Sequence, residues 1–520
     1  MDYSEILFWM VCLSCGTTLF AILRRRQSGV RSWIILYTLI LLTCVTGRWT
    51  NQAWLIYAAS GGWLLFAIAP AVIAHRYLIC FFQQRYLAAG RLARTIAWLH
   101  LARGWWKQAE ICRALHLVQQ NQTAAATEIL NRYCNESSAV GLAAVVNLYR
   151  IADRWDELLK WFAANMDRLR EYPVILPTML RAQGETGNIP GLIASFDLYR
   201  NVILNITPTL QRDLCFLSLF AFSGRRQAVE RLFAGGLSVL PKPAQKFWLA
   251  TADLAAGRSA EARAEFENLL PETESVQQRV IQRRLAQTDI PPVMISEAAS
   301  TVLNEAESAL DHVERFGAQR GVLSKHARAI QTIIVLNALM FVAELRLGGS
   351  TNDGNLHWLG AMYPPDVLAG QWWRLVAAMF LHFGPLHLLM NMLGLASIGP
   401  LVEYAFGFRR FLLIYFVAGI GSMAAVLAHA AIAHANHITV GASGSVMGIV
   451  GATGALMLRG WWRENSAFAR RRLFVVGAII LTQTFFDAMI PQISMTAHLS
   501  GAVIGFLFTL LLRDRLKPAA

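Results

Sequence analysis

The stretch GASGSVMG, residues 441–448, opens an apolar segment that runs from Ser443 to about Leu458. Small residues at the mouth of such a segment suit close helix packing, and taken alone the motif reads best that way. A serine hydroxyl held between glycines is also the form of an exposed nucleophile, so the choice depends on what the rest of the chain brings to it.

Six apolar segments surround and include this stretch: about Ala329 to Leu347, Leu386 to Val402, Phe411 to Ile432, Ser443 to Leu458, Leu473 to Ile490 and Ala497 to Leu512. Some are shorter than a full membrane span, which is tolerated where protein or a water-filled cavity shields a helix end. Basic residues mark one side. Lys325 and Arg328 precede the first segment, Arg409 and Arg410 lie between the second and third, and Arg459, Arg463 and Arg470 to Arg472 lie between the fourth and fifth. Arg513, Arg515 and Lys517 close the chain on that same side, which the positive-inside rule makes cytoplasmic. Ser443 then lies at the outer end of its segment. His498 lies near the outer start of the sixth, and His387 and Asn391 stand one helical turn apart near the start of the second. Polar groups from three segments thus share one depth, where they are costly unless they pair or act.

Composition agrees with a membrane protein: 55% of the 520 residues are apolar and 15% charged. The balance of 47 Lys+Arg against 33 Asp+Glu gives +14, which fits cytoplasmic loops and anionic headgroups rather than nucleic acid. Toward the N-terminus, apolar runs cover Ser4 to Leu23, Trp33 to about Thr46 and about Gln52 to Ala74, giving about three spans within 1–78. The second run is short, so two spans with an interfacial segment is the alternative. Arg24 to Arg26 put the N-terminus outside, and the acidic start MDYSEILF is not that of a cleaved secretory signal. The seven cysteines are odd in number, which argues against a closed disulfide framework, and the Cys12 and Cys15 pair reads as helix packing rather than a metal site.

Between residues 87 and 274 the pattern changes to amphipathic helices, and a repeat emerges. A turn residue is followed five positions on by a small or aliphatic residue and nine positions on by a large apolar one. The copies begin at Asn121, Asp153, Gly187, Gly224 and Gly257, at intervals of 32, 34, 37 and 33 residues. This is the period of paired-helix solenoids, and AAGRSAEARAEF in the last copy resembles the tetratricopeptide consensus. A helical repeat domain is expected, with a plain helical bundle as the alternative. Residues 275–328 read as a helical linker leading to the membrane region at 329–513, interrupted by Pro291 and Pro292.

A serine needs a neighbouring base, and His498 is the sole histidine of the last three segments. Gly444 and Gly448 on one segment and Gly501 and Gly505 on another are small-xxx-small pairs that let two helices meet at backbone distance. His387, Asn391 and the backbone N–H of Ser443, with Gly441 beside it, are candidate donors to an oxyanion. No acid lies close in sequence to orient His498. Asp487 is one segment away and is not expected to serve as a third member. Glu403 reads as part of a cytoplasmic charge cluster with Arg409 and Arg410, His382 as structural, and His429, His434 and His437 as solvated loop residues. No metal or cofactor site is expected.

GASG around Ser443, AHLSGAVIG around His498, HFGPLHLLMN from His382 to Asn391 and the Trp373-Arg374 pair together resemble the rhomboid family of intramembrane serine proteases, over about Ala329 to Arg513. The resemblance implies a Ser443–His498 dyad, an oxyanion held by His387 and Asn391, and a substrate that is itself a transmembrane helix cut near its outer end. It also likens the loop from Arg346 to Arg374, with Trp358, Trp372 and Trp373, to an interfacial first loop. One departure is Met447, at a position where the family often has an aromatic that stacks on the histidine.

The expectation is therefore an all-α, multi-pass protein of the plasma or inner membrane. It joins a six-helix rhomboid-like core, open to the outer side, to a soluble, cytoplasmic, tetratricopeptide-like domain with a protein partner. The alternative is an inactive relative that binds membrane helices as an adaptor.

Overall fold

In the computed structural model, the described residues are 3–25, 31–99, 104–166, 172–206, 208–286, 294–317, 327–434, 436–490 and 494–516. Arg26, Pro291, Pro292, Lys325 and Lys517, invoked above, lie outside them. The fold is helical, with no strand among the described residues and one isolated antiparallel bridge between Met362 and Thr439. Two compact units divide the chain, Asp2–Glu307 and Ser308–Ala520.

The first unit opens with three long apolar helices, α1 (Tyr3–Arg25), α2 (Arg31–Trp49) and α3 (Ala53–Phe82). Cys15 and Cys44 are buried here among Val11, Ile40 and Ile56, the packing role expected of Cys15. Among the described residues eleven further helices follow: α4 (Tyr86–Leu99), α5 (Gly104–Gln119), α6 (Thr123–Asn131), α7 (Ala139–Ile151), α8 (Trp155–Ala164), α9 (Leu176–Glu185), α10 (Ile189–Ile203), α11 (Thr209–Phe222), α12 (Arg226–Ala234), α13 (Lys242–Ala255) and α14 (Ser259–Leu269).

The five turn residues read from the sequence all take the left-handed conformation: Asn121, Asp153, Gly187, Gly224 and Gly257 have φ of 61°, 55°, 75°, 77° and 80°. In each turn the following N–H donates to the carbonyl four residues before the turn residue, as from Arg154 to Tyr149 at 3.0 Å and from Arg258 to Asp253 at 2.9 Å. This is the closing bond of a Schellman motif, which stops one helix and aims the next. Ala126, Leu158, Leu192, Val229 and Ala262, five positions on, are fully buried. A sixth copy escaped the sequence pattern. Gln84 has φ 59°, Arg85 N–H donates to the Cys80 carbonyl, and Ala89 and Ala93 are buried at the matching offsets. The large apolar residue sought at the ninth offset is an alanine there, which is why the pattern missed it. The region is consistent with a helical repeat domain.

Helix α15 (Ser275–Ala286), which the sequence placed in the linker, packs on these repeats. It bonds to successive copies. Ser275 N–H donates to Asn121 Oδ1 at 3.1 Å, Arg279 to the Ile151 carbonyl at 2.6 Å, and Arg283 to both carboxylate oxygens of Asp153 at 2.9 Å. Arg283 and Arg284 then converge on Glu185, at 2.6 and 2.7 Å. Arg181, 3.2 Å from the same carboxylate, lies between the faces of Trp155 and Trp248.

In sequence, α16 (Glu297–Phe316) crosses into the second unit, whose framework is α17 (Arg328–Leu347), α18 (Pro385–Phe406), α19 (Phe408–Ala433), α20 (Ser443–Glu464), α21 (Ala467–Met489) and α22 (Met495–Leu511). Among the described residues, seven helices are long and apolar enough to cross a membrane: α1 to α3, α17, α18, α19 and α21. Helices α20 and α22 are not among them. Glycines, serines and Arg459 dilute α20, and α22 has 17 residues. Yet α20 is buried without a break from Gly444 to Met457, packed against α18, α19, α21 and α22. A helix enclosed by other helices needs no lipid-facing side chains, which frees its sequence for the site.

Glu403 departs from the sequence reading. It is buried, and its two carboxylate oxygens accept the backbone N–H groups of Ala329 and Ile330 at 2.8 and 3.2 Å. The carboxylate therefore caps the start of α17 instead of joining a surface cluster with Arg409 and Arg410. An anion at a helix N-terminus satisfies orphan donors and opposes the helix dipole.

Candidate active site

Glycine decides how α20 meets α22. A Cβ at Gly501 would collide with the Gly444 carbonyl and lie 2.9 Å from its carbon and 3.1 Å from its Cα. A Cβ at Gly505 would likewise strike the backbone of Gly448. The two pairs named from the sequence thus face each other one turn apart, and Gly451, facing the Ala502 carbonyl, continues the seam. The first turns of α20 and α22, carrying Ser443 and His498, are brought side by side in this way.

Ser443 is the first residue of α20 and is half-buried. Gly441 precedes it with φ 129°, in the region that favours glycine, and its N–H donates to the Ala378 carbonyl at 2.9 Å. Space also demands glycine. A Cβ there would lie 2.7 and 2.9 Å from His387 Cε1 and Nε2, and 3.7 Å from Ser443 Oγ. The His387 ring and the serine hydroxyl therefore border the same small space above Gly441. His387 Nδ1 accepts the Phe383 N–H at 3.3 Å, which places the proton of a neutral ring on Nε2, the nitrogen beside Gly441. Such an N–H is a donor available to an anionic oxygen.

Asn391 is buried one turn along α18, and its amide donates to the His387 carbonyl at 3.1 Å, leaving one N–H uncommitted by that bond. His382 is fully buried, and its ring stands edge-on to His387 with centroids 5.2 Å apart. Its backbone N–H donates to Glu344 at 2.9 Å, and its Nδ1 lies 3.3 Å from the Phe380 carbonyl.

His498 lies in the first turn of α22, where Ser494 caps the helix and accepts from Ala497 N–H. Among the described residues no hydrogen bond joins it to Ser443; in unliganded sites such bonds are often long and tighten with substrate. Its other nitrogen is firmly held. Nδ1 lies 2.8 Å from Asp487 Oδ2, on α21, with both side chains buried. Gln483, one turn before, donates to Asp487 Oδ1 at 2.7 Å and lies 3.3 Å from the same Nδ1. Sequence reasoning set Asp487 aside because it lies a segment away. The available signal was a glutamine and an aspartate four apart on one face of an apolar span, where unpaired polar groups are costly. Met447 packs with Val450, Val476 and Ala502. The histidine is thus held from α21.

The first loop shows a mixed outcome. Trp358, Trp372 and Trp373 are exposed, suited to an interfacial layer. Arg374, at the end of the same loop, is buried instead. It donates to the carbonyls of His357 and Ala361 at 2.7 and 3.0 Å and pairs with Asp366 at 3.0 Å, tying the loop to itself. Its fork of donors satisfies several orphan carbonyls at once, a task that outweighs lipid contact.

Comparison with known proteins places a Rhomboid domain at residues 369–515, a range that takes in His387, Asn391, Ser443, Asp487 and His498. The chain is 35% identical over 174 residues to the rhomboid protease GluP of Bacillus subtilis, covering 33% of this chain and 32% of that one. It is 39% identical over 168 residues to RHOMBOID-like protein 2 of Arabidopsis thaliana, covering 32% and 50%. With the rhomboid protease AarA of Providencia stuartii it shares 28% identity over 197 residues, covering 34% and 70%. The chain thus spans about a third of the Bacillus relative's length and half of the Arabidopsis one's.

Proposed function

For a multi-pass membrane protein whose residues 369–515 are a rhomboid domain, we propose a metal-independent intramembrane serine endopeptidase acting through Ser443 and His498. The observation that carries this reading is the glycine seam, which sets the first turns of α20 and α22 in contact with His387 beside Gly441. Ser443 Oγ attacks the scissile carbonyl carbon as His498 Nε2 takes its proton. The same proton passes to the leaving nitrogen when the C–N bond breaks, and water repeats the sequence on the acyl-enzyme. His387 Nε2–H, the backbone N–H at Ser443 and the remaining Asn391 N–H donate to the oxyanion. The substrate is a transmembrane helix that reaches Ser443 at the outer end of α20.

The rest of the arrangement belongs to the same proposal: a plasma or inner membrane, a cytoplasmic tetratricopeptide-like domain, and a protein partner for it. Because α15 already occupies part of the repeat surface, such a partner takes another face or displaces that helix. Ser443→Ala and His498→Ala are each expected to abolish cleavage of a single-span reporter in proteoliposomes while leaving expression and melting unchanged. Cleavage retained in either variant refutes the dyad. Failure of the wild-type protein to react with a fluorophosphonate favours an idle, helix-binding relative.

A further inference from the structure

We propose that Asp487, anchored by Gln483, is the positioning residue that orients His498 for catalysis, so that a Ser–His–Asp relay operates here; this rests on the Ser443–His498 reading above. The geometry is direct. Asp487 Oδ2 lies 2.8 Å from His498 Nδ1, and the side chains are 1% and 9% exposed. A carboxylate in such surroundings demands donors, and the structure supplies two: the ring Nδ1–H and the Gln483 amide, 2.7 Å from Oδ1. With its proton on Nδ1, the neutral ring presents an unprotonated Nε2, the tautomer a general base requires.

The same contact acts during reaction. When Nε2 takes the serine proton the ring becomes a cation, and a fixed carboxylate in a water-poor site favours that state without moving or accepting the proton. Gln483 keeps the carboxylate in place, because its amide nitrogen donates to Oδ1 and, although 3.3 Å from Nδ1, cannot accept from Nδ1–H. The chain thus spends a buried acid and a buried amide, one turn apart on α21, on a single imidazole.

The test uses the full-length protein in proteoliposomes, with kcat expressed per site titrated by a fluorophosphonate. Asp487→Asn keeps the shape but can donate an amide N–H to Nδ1 and impose the other tautomer. It is expected to lower kcat by about 10²-fold or more with KM unchanged. Gln483→Leu removes only the anchor and is expected to lower kcat by about tenfold, again at constant KM. A purely structural role would reduce the number of titratable sites and leave kcat per site alone. Wild-type kcat in folded Asp487→Asn overturns the proposal; should that variant not fold, wild-type kcat in Gln483→Leu overturns it. Ser443→Ala separates the two readings. If Ser443→Ala and His498→Ala are inactive while Asp487→Asn keeps its kcat, the relay alone falls; if Ser443→Ala still cleaves, its premise falls.

Discussion

Gly501→Ala adds one methyl group at a position where the facing structure is backbone. The new Cβ would overlap the Gly444 carbonyl and sit 2.9 Å from its carbon and 3.1 Å from its Cα. Carbon atoms rest about 3.5–4.0 Å apart, so α20 and α22 must separate by roughly 0.5–1 Å. No side chain can rotate away to absorb this. Overpacking of this kind costs about 1–3 kcal/mol, and a misplacement of about 1 Å between reacting groups can cost about 10²-fold in rate. The expected result is a lowered melting temperature and a kcat/KM on a single-span reporter reduced by about 10²-fold, measured in proteoliposomes. Gly477→Ala is the control, since a Cβ there meets nothing within 4 Å. It should leave activity intact and add up to about 1 kcal/mol through helix propensity. Wild-type cleavage and melting in Gly501→Ala would refute the claim that backbone contact at this seam sets the distance between Ser443 and His498.

Two further expectations concern the first unit. Glu185→Ala removes the carboxylate that Arg181, Arg283 and Arg284 share and should cost about 3–5 kcal/mol, read as an early transition in the melt of the full chain. Burial pushes the Glu185 carboxyl up, but the three arginines outweigh it and hold it below its ordinary 4.5. Its stabilising effect is therefore complete above that value and is lost as pH falls further, so the gap between wild type and Glu185→Gln should close in acid. For topology, Cys134 is half-exposed, whereas Cys215 is buried and a poor reporter. An impermeant maleimide should label Cys134 only after the membrane is opened, and labelling from outside intact cells would overturn the cytoplasmic placement.

The large features were legible because they follow from periodicity. Apolar run length located the long helices, and the turn residues of the repeat were visible because a left-handed position selects glycine, asparagine or aspartate. The copy at Gln84 went unseen because Ala93 stands where the pattern requires a large apolar residue. The glycine pairs were legible as spacing, though spacing alone could not say which pair faces which. What stayed hidden depends on partners chosen by tertiary packing. Arg374 ends a loop that resembled an interfacial one, yet its fork serves His357, Ala361 and Asp366. Arg279, Arg283 and Arg284 looked like linker charge, and their partners lie on repeats about a hundred residues away in sequence.

Three buried carboxylates in the second unit show why a charge in an apolar segment cannot be assigned by sequence alone. Glu344 accepts the His382 backbone N–H at 2.9 Å, and Glu403 accepts those of Ala329 and Ile330. Asp487 accepts from an imidazole. Each has at least one donor, as a buried carboxylate requires, although Glu344 Oε2 has no hydrogen-bond partner among the described residues. Their consequences differ because the donors differ. A backbone N–H never changes its protonation, so Glu344 and Glu403 fix chain positions and can do nothing else through those bonds. An imidazole does change charge, so a carboxylate bonded to it is coupled to any proton the ring accepts. Of the three, Asp487 is therefore the acid whose bond would strengthen during a proton transfer at Ser443, and the one whose removal should appear in kcat rather than in folding alone.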